Sequence, residues 1–160
     1  MTMPPTLRPL ATMPEDARRA IRGVLTDIDD TLSTHGRLTA EAYAAMERLR
    51  GAGRLVIPIT GRPAGWCDHI ARMWPVDAVV GENGALYMRY DIGGRRLVRR
   101  FVDDEATRRA HRARLMGIAE KIVAAVPGCA LASDQLYRET DLAIDFREDV
   151  PPLSYEAIDR

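Results

Sequence analysis

"VLTDIDDTLS", Val24–Ser33, sets three aspartates and a threonine at the end of a short apolar run. Carboxylates repel one another, so the crowding needs a cause. Either a cation and a phosphate offset the charge, or the acids cap an ordinary turn. Side chains two apart on an extended segment leave on the same side, so Asp27 and Asp29 face one way and Ile28 the other. "GVLTDI" is mostly apolar, which suits a strand covered on both faces.

Outward from that run the pattern alternates. Thr39 caps a helix running to about Arg50, with Ala42, Met46 and Leu49 on one face and Gly51 and Gly53 as stops. "RLVIPIT" is a second buried strand, ending at Thr60-Gly61. After Pro63 a short helix places Trp66, Ile70 and Met73 on one face. "VDAVV" is a third strand, ending in "GENGA". Strand and helix in strict alternation predict right-handed crossovers and a parallel sheet, so the fold class is α/β.

Beyond Ala85 the texture changes. "ALYMRYDI" and "RRLVRRFV" flank Gly93-Gly94, read as a two-residue hairpin turn. "DDEATRRAHRARLMGIAEKIVAAVP" is the longest helix, with Leu115, Ile118, Ile122 and Val126 as its buried stripe. "GCALAS" and "DLAIDF" are two further strands, and "SYEAIDR" starts a last helix. Residues 1–20, with four prolines and three methionines before Glu15, form a flexible leader with one helical turn at "PEDARRAI". Residues 21–102 make a parallel α/β half with a hairpin extension, and residues 103–160 open an α+β unit.

The bulk numbers narrow the partners. The chain has 160 residues and a formal net charge of zero, which argues against nucleic acid and an anionic membrane as main partners. "RRAHRAR", Arg108–Arg114, reads as a solvated helix face. Cys67 and Cys129 stand in no metal-type spacing, so the expected compartment is the reducing cytoplasm, with Cys67 as packing. No apolar stretch approaches membrane length. His35 is placed on a surface loop.

Carboxyl ends of parallel strands are where open α/β sheets bind ligands. Two carboxylates in such a mouth suit a hard cation such as Mg²⁺, which takes oxygen ligands and accompanies phosphate. One carboxylate is then placed to attack phosphorus and the other to move protons. Thr60 and the unhindered Gly61 N–H are donors for a phosphate oxygen, and Arg62 is in line for a substrate anion.

"VLTDIDDTL", "PITGRP" and "GENGA", in that order, resemble the haloacid dehalogenase superfamily, in its subclass with a type IIB cap, which includes sugar-phosphate phosphatases and phosphomannomutases. The resemblance spans Ile21–Arg160 and implies a Rossmann-like parallel-sheet core, here its N-terminal half, with an incomplete α+β cap. It implies Asp27 as nucleophile and Asp29 as general acid/base. Mg²⁺ is then held by the Asp27 carboxylate and the Asp29 backbone carbonyl. Thr60 and Gly61 grip the phosphoryl group, Arg62, Asn83 and Gly84 line the substrate site, and Thr31 braces the loop. The implied activity is a Mg²⁺-dependent phosphatase working through an aspartyl phosphate on a small phosphorylated metabolite, a sugar phosphate among the options. The alternatives are a phosphomutase and a non-catalytic fragment.

Two parts of the family pattern have no counterpart. The later lysine that neutralises nucleophile and phosphate is not matched by Lys121, the sole lysine, which lies mid-helix. The Gly-Asp-x-x-Asn/Asp-Asp segment is missing, and Asp145, Glu148 and Asp149 of "DFREDV" are not assigned to metal. Arg138 and Arg147 are candidate contacts for an anionic substrate. The chain therefore reads as a truncated enzyme, and its unfinished sheet edge predicts self-association.

Overall fold

In a computed structural model the chain is described over residues 8–159; the first part of the leader lies outside them. Helix α1 (Glu15–Ala20) leads into strand β1 (Gly23–Asp27). A small hairpin, β2 (Ser33–Thr34) and β3 (Arg37–Leu38), follows, then α2 (Ala40–Gly51), β4 (Leu55–Ile59), α3 (Ala64–Met73) and β5 (Val79–Gly81). Strands β6 (Leu86–Asp91) and β7 (Arg96–Phe101) precede the long α4 (Glu105–Ala125). Short strands β8 (Ala130–Leu131) and β9 (Ile144–Asp145) and helix α5 (Tyr155–Ile158) finish the described chain.

Five strands form one sheet in the order β1-β4-β5-β6-β7, the first three parallel and the rest antiparallel. This is an α/β, Rossmann-like arrangement with a hairpin continuing the sheet. The register sets the site: Asp27 lies level with Ile59, and Ile59 with Val80. The loops that follow these three residues therefore emerge together at the carboxyl ends of the parallel strands.

Pro58 sits inside β4, where a missing N–H would normally leave a gap in the ladder. The gap falls on the β5 side of β4, where pairing is confined to Ile59 with Val80. The Val56 N–H donates to the Asp77 carboxylate at 2.8 Å and the Thr60 N–H to the Val80 carbonyl at 2.9 Å. Pro58 falls between them.

The core joins Ile28, Met46, Val56, Cys67, Ile70, Val79, Leu86 and Met88, all nearly fully buried. Each large apolar side chain so placed contributes about 1.5–3 kcal/mol. Thr39 caps α2 through a bond from the Ala42 N–H. Gly81 marks the tightest point: a Cβ there would overlap the Cys67 sulfur. Gly81→Ala should therefore destabilise the fold by about 1–3 kcal/mol. A urea unfolding midpoint equal to that of the native chain would refute this.

Several expectations need correction. The face of α3 that packs inward is Ala64, Cys67, Ile70 and Ala71, while Trp66 and Met73 are exposed. Strand β1 is not covered on both faces: nothing packs over Leu25, which stays 65% exposed. The β6–β7 connection is a four-residue loop, Ile92–Arg95, since pairing stops at Asp91 with Arg96. There the Asp91 carboxylate captures the Gly94 N–H at 3.1 Å and closes the turn early. Along α4, only Ala119 is fully buried and Ile118 and Ile122 are exposed, because the two-residue strands β8 and β9 offer too little surface to cover the stripe. The β2–β3 hairpin escaped the sequence pattern; His35 and Gly36, both at positive φ, make its turn.

Candidate active site

Beyond β1 the chain wraps around one carbonyl. The N–H groups of Thr31, Leu32 and Ser33 all donate to the Ile28 oxygen, at 3.3, 3.0 and 2.8 Å. Ile28 is buried and anchors the loop, while Asp30 turns it with φ +55°. The Asp30 N–H is taken by the Ser33 hydroxyl at 3.2 Å. This leaves the Asp27 carboxylate exposed, with one long contact from the Thr31 hydroxyl at 3.5 Å. Thr31, expected as the brace of this loop, makes that one contact.

Asp29 is held differently. Its carboxylate accepts Arg62 Nε at 3.3 Å and Nη2 at 3.0 Å. Arg62 also donates Nη1 to Glu148 at 3.2 Å and lies over the Trp66 ring, 5.0 Å from its centroid. The hydrogen bond from Arg62 to Asp29 outweighs burial and holds the guanidinium pKa above its ordinary value. Arg62, expected to face a substrate anion, is instead shared between two acids.

Glu148 reaches Arg62 because Asp145 folds the loop beneath it. The buried Asp145 carboxylate accepts the N–H groups of Glu148 and Asp149, each at 2.7 Å, and of Arg147 at 2.9 Å. Those bonds, the one from Glu148 foremost, hold its pKa below the usual carboxylate value.

Thr60 is 2% exposed. Its hydroxyl accepts the Arg62 N–H at 3.0 Å, and its carbonyl accepts the Asn83 N–H at 3.2 Å. Gly61 lies so close to Asn83 that a Cβ would stand 2.9 Å from the Asn83 amide oxygen. Asn83 donates its side-chain N–H to Asp141 at 3.0 Å, and the Gly61 carbonyl accepts Arg138 Nη1 at 2.9 Å. Thr60, Gly61 and Asn83 are thus brought together. Gly84, at φ +99°, is exposed beside them. Arg138 is pinned by Asp141 at 2.8 Å and Asp134 at 3.6 Å, while Arg147 is exposed.

The residue the sequence pattern passed over is Glu82. It stands inside "GENGA" yet is 1% exposed. Its carboxylate accepts the N–H groups of Ala64, Glu139, Thr140 and Asp141 and the Thr140 hydroxyl. Burial pushes the carboxyl up, but the bonds from Thr140, Glu139, Asp141 and Ala64 outweigh it and leave the pKa below its ordinary value of 4.5. A carboxyl lowered on folding adds stability that is complete above its unfolded value and fades as pH falls through the folded one. The difference in urea midpoint between the native chain and Glu82→Gln should be constant from pH 7 to about 5 and shrink below pH 4.5. A constant difference down to pH 3 would count against this.

A cavity of about 500 Å³ opens between the start of α3 and the β8–β9 segment, lined by Arg62, Trp66, Ser133, Arg138, Phe146 and Glu148 among others. Among the described residues no three His, Cys, Asp or Glu side chains converge to hold a metal. The donor set at the acid loop is hard oxygen: the nearly free Asp27 carboxylate and the Asp29 carbonyl, which accepts no hydrogen bond from the described residues. That set fits Mg²⁺, which keeps several waters and takes only one or two carboxylates. Among the described residues no helix is long and apolar enough to cross a membrane.

Known proteins offer two kinds of likeness. The structure of Thermoplasma acidophilum 0175 superposes with a TM-score of 0.60 at 16% identity, over 87% of this chain and 54% of that one. BT1666 from Bacteroides thetaiotaomicron, described among phosphatases of the haloalkanoate (HAD) enzyme superfamily, gives 0.49 at 17% identity, over 92% and 55%. The chain thus spans about half the length of these structures. No curated protein matches it. The model of the haloacid dehalogenase-like hydrolases matches residues 24–115, which is more than half of the chain. That span opens on the acid loop and takes in the Thr60–Gly61 and Glu82–Gly84 loops, so the chain belongs to the haloacid dehalogenase-like hydrolase family.

Proposed function

We propose that this protein is a Mg²⁺-dependent phosphatase acting on a small phosphorylated metabolite. The observation that carries the reading is the shared level of Asp27, Ile59 and Val80, which sets an exposed carboxylate beside the Thr60–Gly61 loop. In this reading Asp27 attacks phosphorus, a new P–O bond forms on its carboxylate and the ester P–O bond breaks. Asp29 gives its proton to the departing oxygen. Water then attacks the aspartyl phosphate, Asp29 takes the water's proton, and inorganic phosphate leaves as the Asp27 carboxylate is restored.

Thr60 and the Gly61 N–H steady the phosphoryl oxygens through both steps. Bound at the Asp27 carboxylate and Asp29 carbonyl, Mg²⁺ would supply positive charge against that building on the phosphoryl oxygens. Asp29 is paired with Arg62, so the pair must open before Asp29 delivers a proton. An arriving phosphate is the natural competitor for that guanidinium.

The test is release of phosphate from an aryl phosphate, with Mg²⁺ and after chelation. Activity restored by Mg²⁺ and lost with EDTA is expected; undiminished turnover in EDTA would end the proposal. A second reading, binding of Mg²⁺ and phosphate without turnover, is favoured by Lys121, the sole lysine, which is exposed on α4 rather than set in the acid loop. Phosphate binding with no hydrolysis would select it.

A further inference from the structure

Among the described residues Glu82 is the one nearly fully buried acid whose bonds reach across to the other half of the chain, and the chemistry above leaves it unused. Its backbone sits at φ +48° and that of Asn83 at φ +57°, the left-handed region that side-chain-bearing residues rarely adopt. Four of its five donors come from one turn of the second unit: the N–H groups of Glu139 at 2.8 Å, Thr140 at 2.7 Å and Asp141 at 3.0 Å, and the Thr140 hydroxyl. The fifth is the Ala64 N–H at 2.9 Å, at the start of α3.

From the same turn two contacts return to the first unit. Asp141 accepts the Asn83 amide at 3.0 Å. Arg138, held by the other Asp141 oxygen at 2.8 Å, donates to the Gly61 carbonyl at 2.9 Å. The bonds run from Glu82 through that turn and back to Asn83, whose N–H donates to the Thr60 carbonyl, and to Gly61, the next residue after Thr60. Gly61 has no spare room against Asn83, so a displaced turn would move both.

We propose that Glu82 is a positioning residue of the phosphoryl site, gathering the Glu139–Asp141 turn so that Asp141 and Arg138 fix Asn83 and Gly61. The inference rests on the phosphatase reading. A glutamine at 82 presents an NH₂ group to donors and releases part of the turn. An alanine at 141 leaves the Glu82 bonds to Glu139 and Thr140 in place and cuts only the returning arm.

Three measurements on the native chain, Glu82→Gln and Asp141→Ala decide the matter: amide exchange at residues 139–141, the Kd for inorganic phosphate in Mg²⁺, and aryl-phosphate kinetics. Glu82→Gln should speed exchange at residues 139–141 at least tenfold and raise Kd and KM together about tenfold, with kcat within about threefold. Loss of folded protein alone would lower kcat and spare KM, so the split separates positioning from stability. Asp141→Ala should raise Kd several-fold with Glu139 and Thr140 still protected, and it decides alone should Glu82→Gln not fold. Native-like phosphate affinity in Asp141→Ala, or in a folded Glu82→Gln, overturns this inference only. A native chain that binds no phosphate overturns it together with the phosphatase reading.

Discussion

Asp27→Asn should lower the Mg²⁺-dependent release of phosphate by at least about a thousandfold, the scale expected when a covalent nucleophile is removed. The amide keeps the shape of the carboxylate but loses the charge that attacks phosphorus and attracts the cation. Little else should change. Asp27 is exposed, and its contact with another side chain is the 3.5 Å bond from Thr31, so the fold should not register the substitution. Steady-state hydrolysis of an aryl phosphate, with thermal unfolding as a control, makes the comparison. Turnover within tenfold of the native rate would mean that another group forms the bond to phosphorus.

Asp29→Asn comes next in size. A side chain that moves a proton in the transition state is worth about 10²–10⁴-fold, and asparagine cannot replace it. The loss should appear in kcat/KM, which reports formation of the aspartyl phosphate, and be smaller there for substrates whose leaving group needs no proton, such as nitrophenolate. That contrast separates proton transfer from the other task of Asp29, holding Arg62 at 3.0 Å beside Trp66. An equal loss of kcat/KM for alkyl and nitrophenyl esters would mean that Asp29 positions Arg62 and does not protonate the leaving group.

How far the sequence could be read depended on where each side chain's partners lie. The parallel strands and the Thr39 cap are written in local patterns, namely apolar runs, helical spacing and a hydroxyl before a helix. Once those strands are parallel, the meeting of the Asp27 loop with the Thr60–Gly61 loop follows from topology. The inner face of α3 was misread because its buried positions include the small residues Ala64, Cys67 and Ala71, while Trp66 turns outward to stack with Arg62. Spacing of large apolar residues misses a face built this way.

Glu82 was illegible for a different reason. An acid between two glycines looks solvated, and four of its donors lie 57 to 59 residues downstream. The partners of Arg62 are similarly remote, at Asp29 and Glu148, whereas Arg138 is held by Asp134 and Asp141 nearby in the chain and reaches back to Gly61. Arg62, read as ready for a substrate anion, is committed to neighbours that no local pattern announces.

Cys67 carries one more consequence. Its thiol is fully buried, and burial, with the charge of Glu82 adding to it, pushes the pKa up to about 12. Thiolate is the reactive form, so at neutral pH this sulfur is a bystander to oxidants and alkylating reagents. Cys129, partly exposed in the second unit, is left as the position where a single dye or spin label can be attached to report on that half of the molecule.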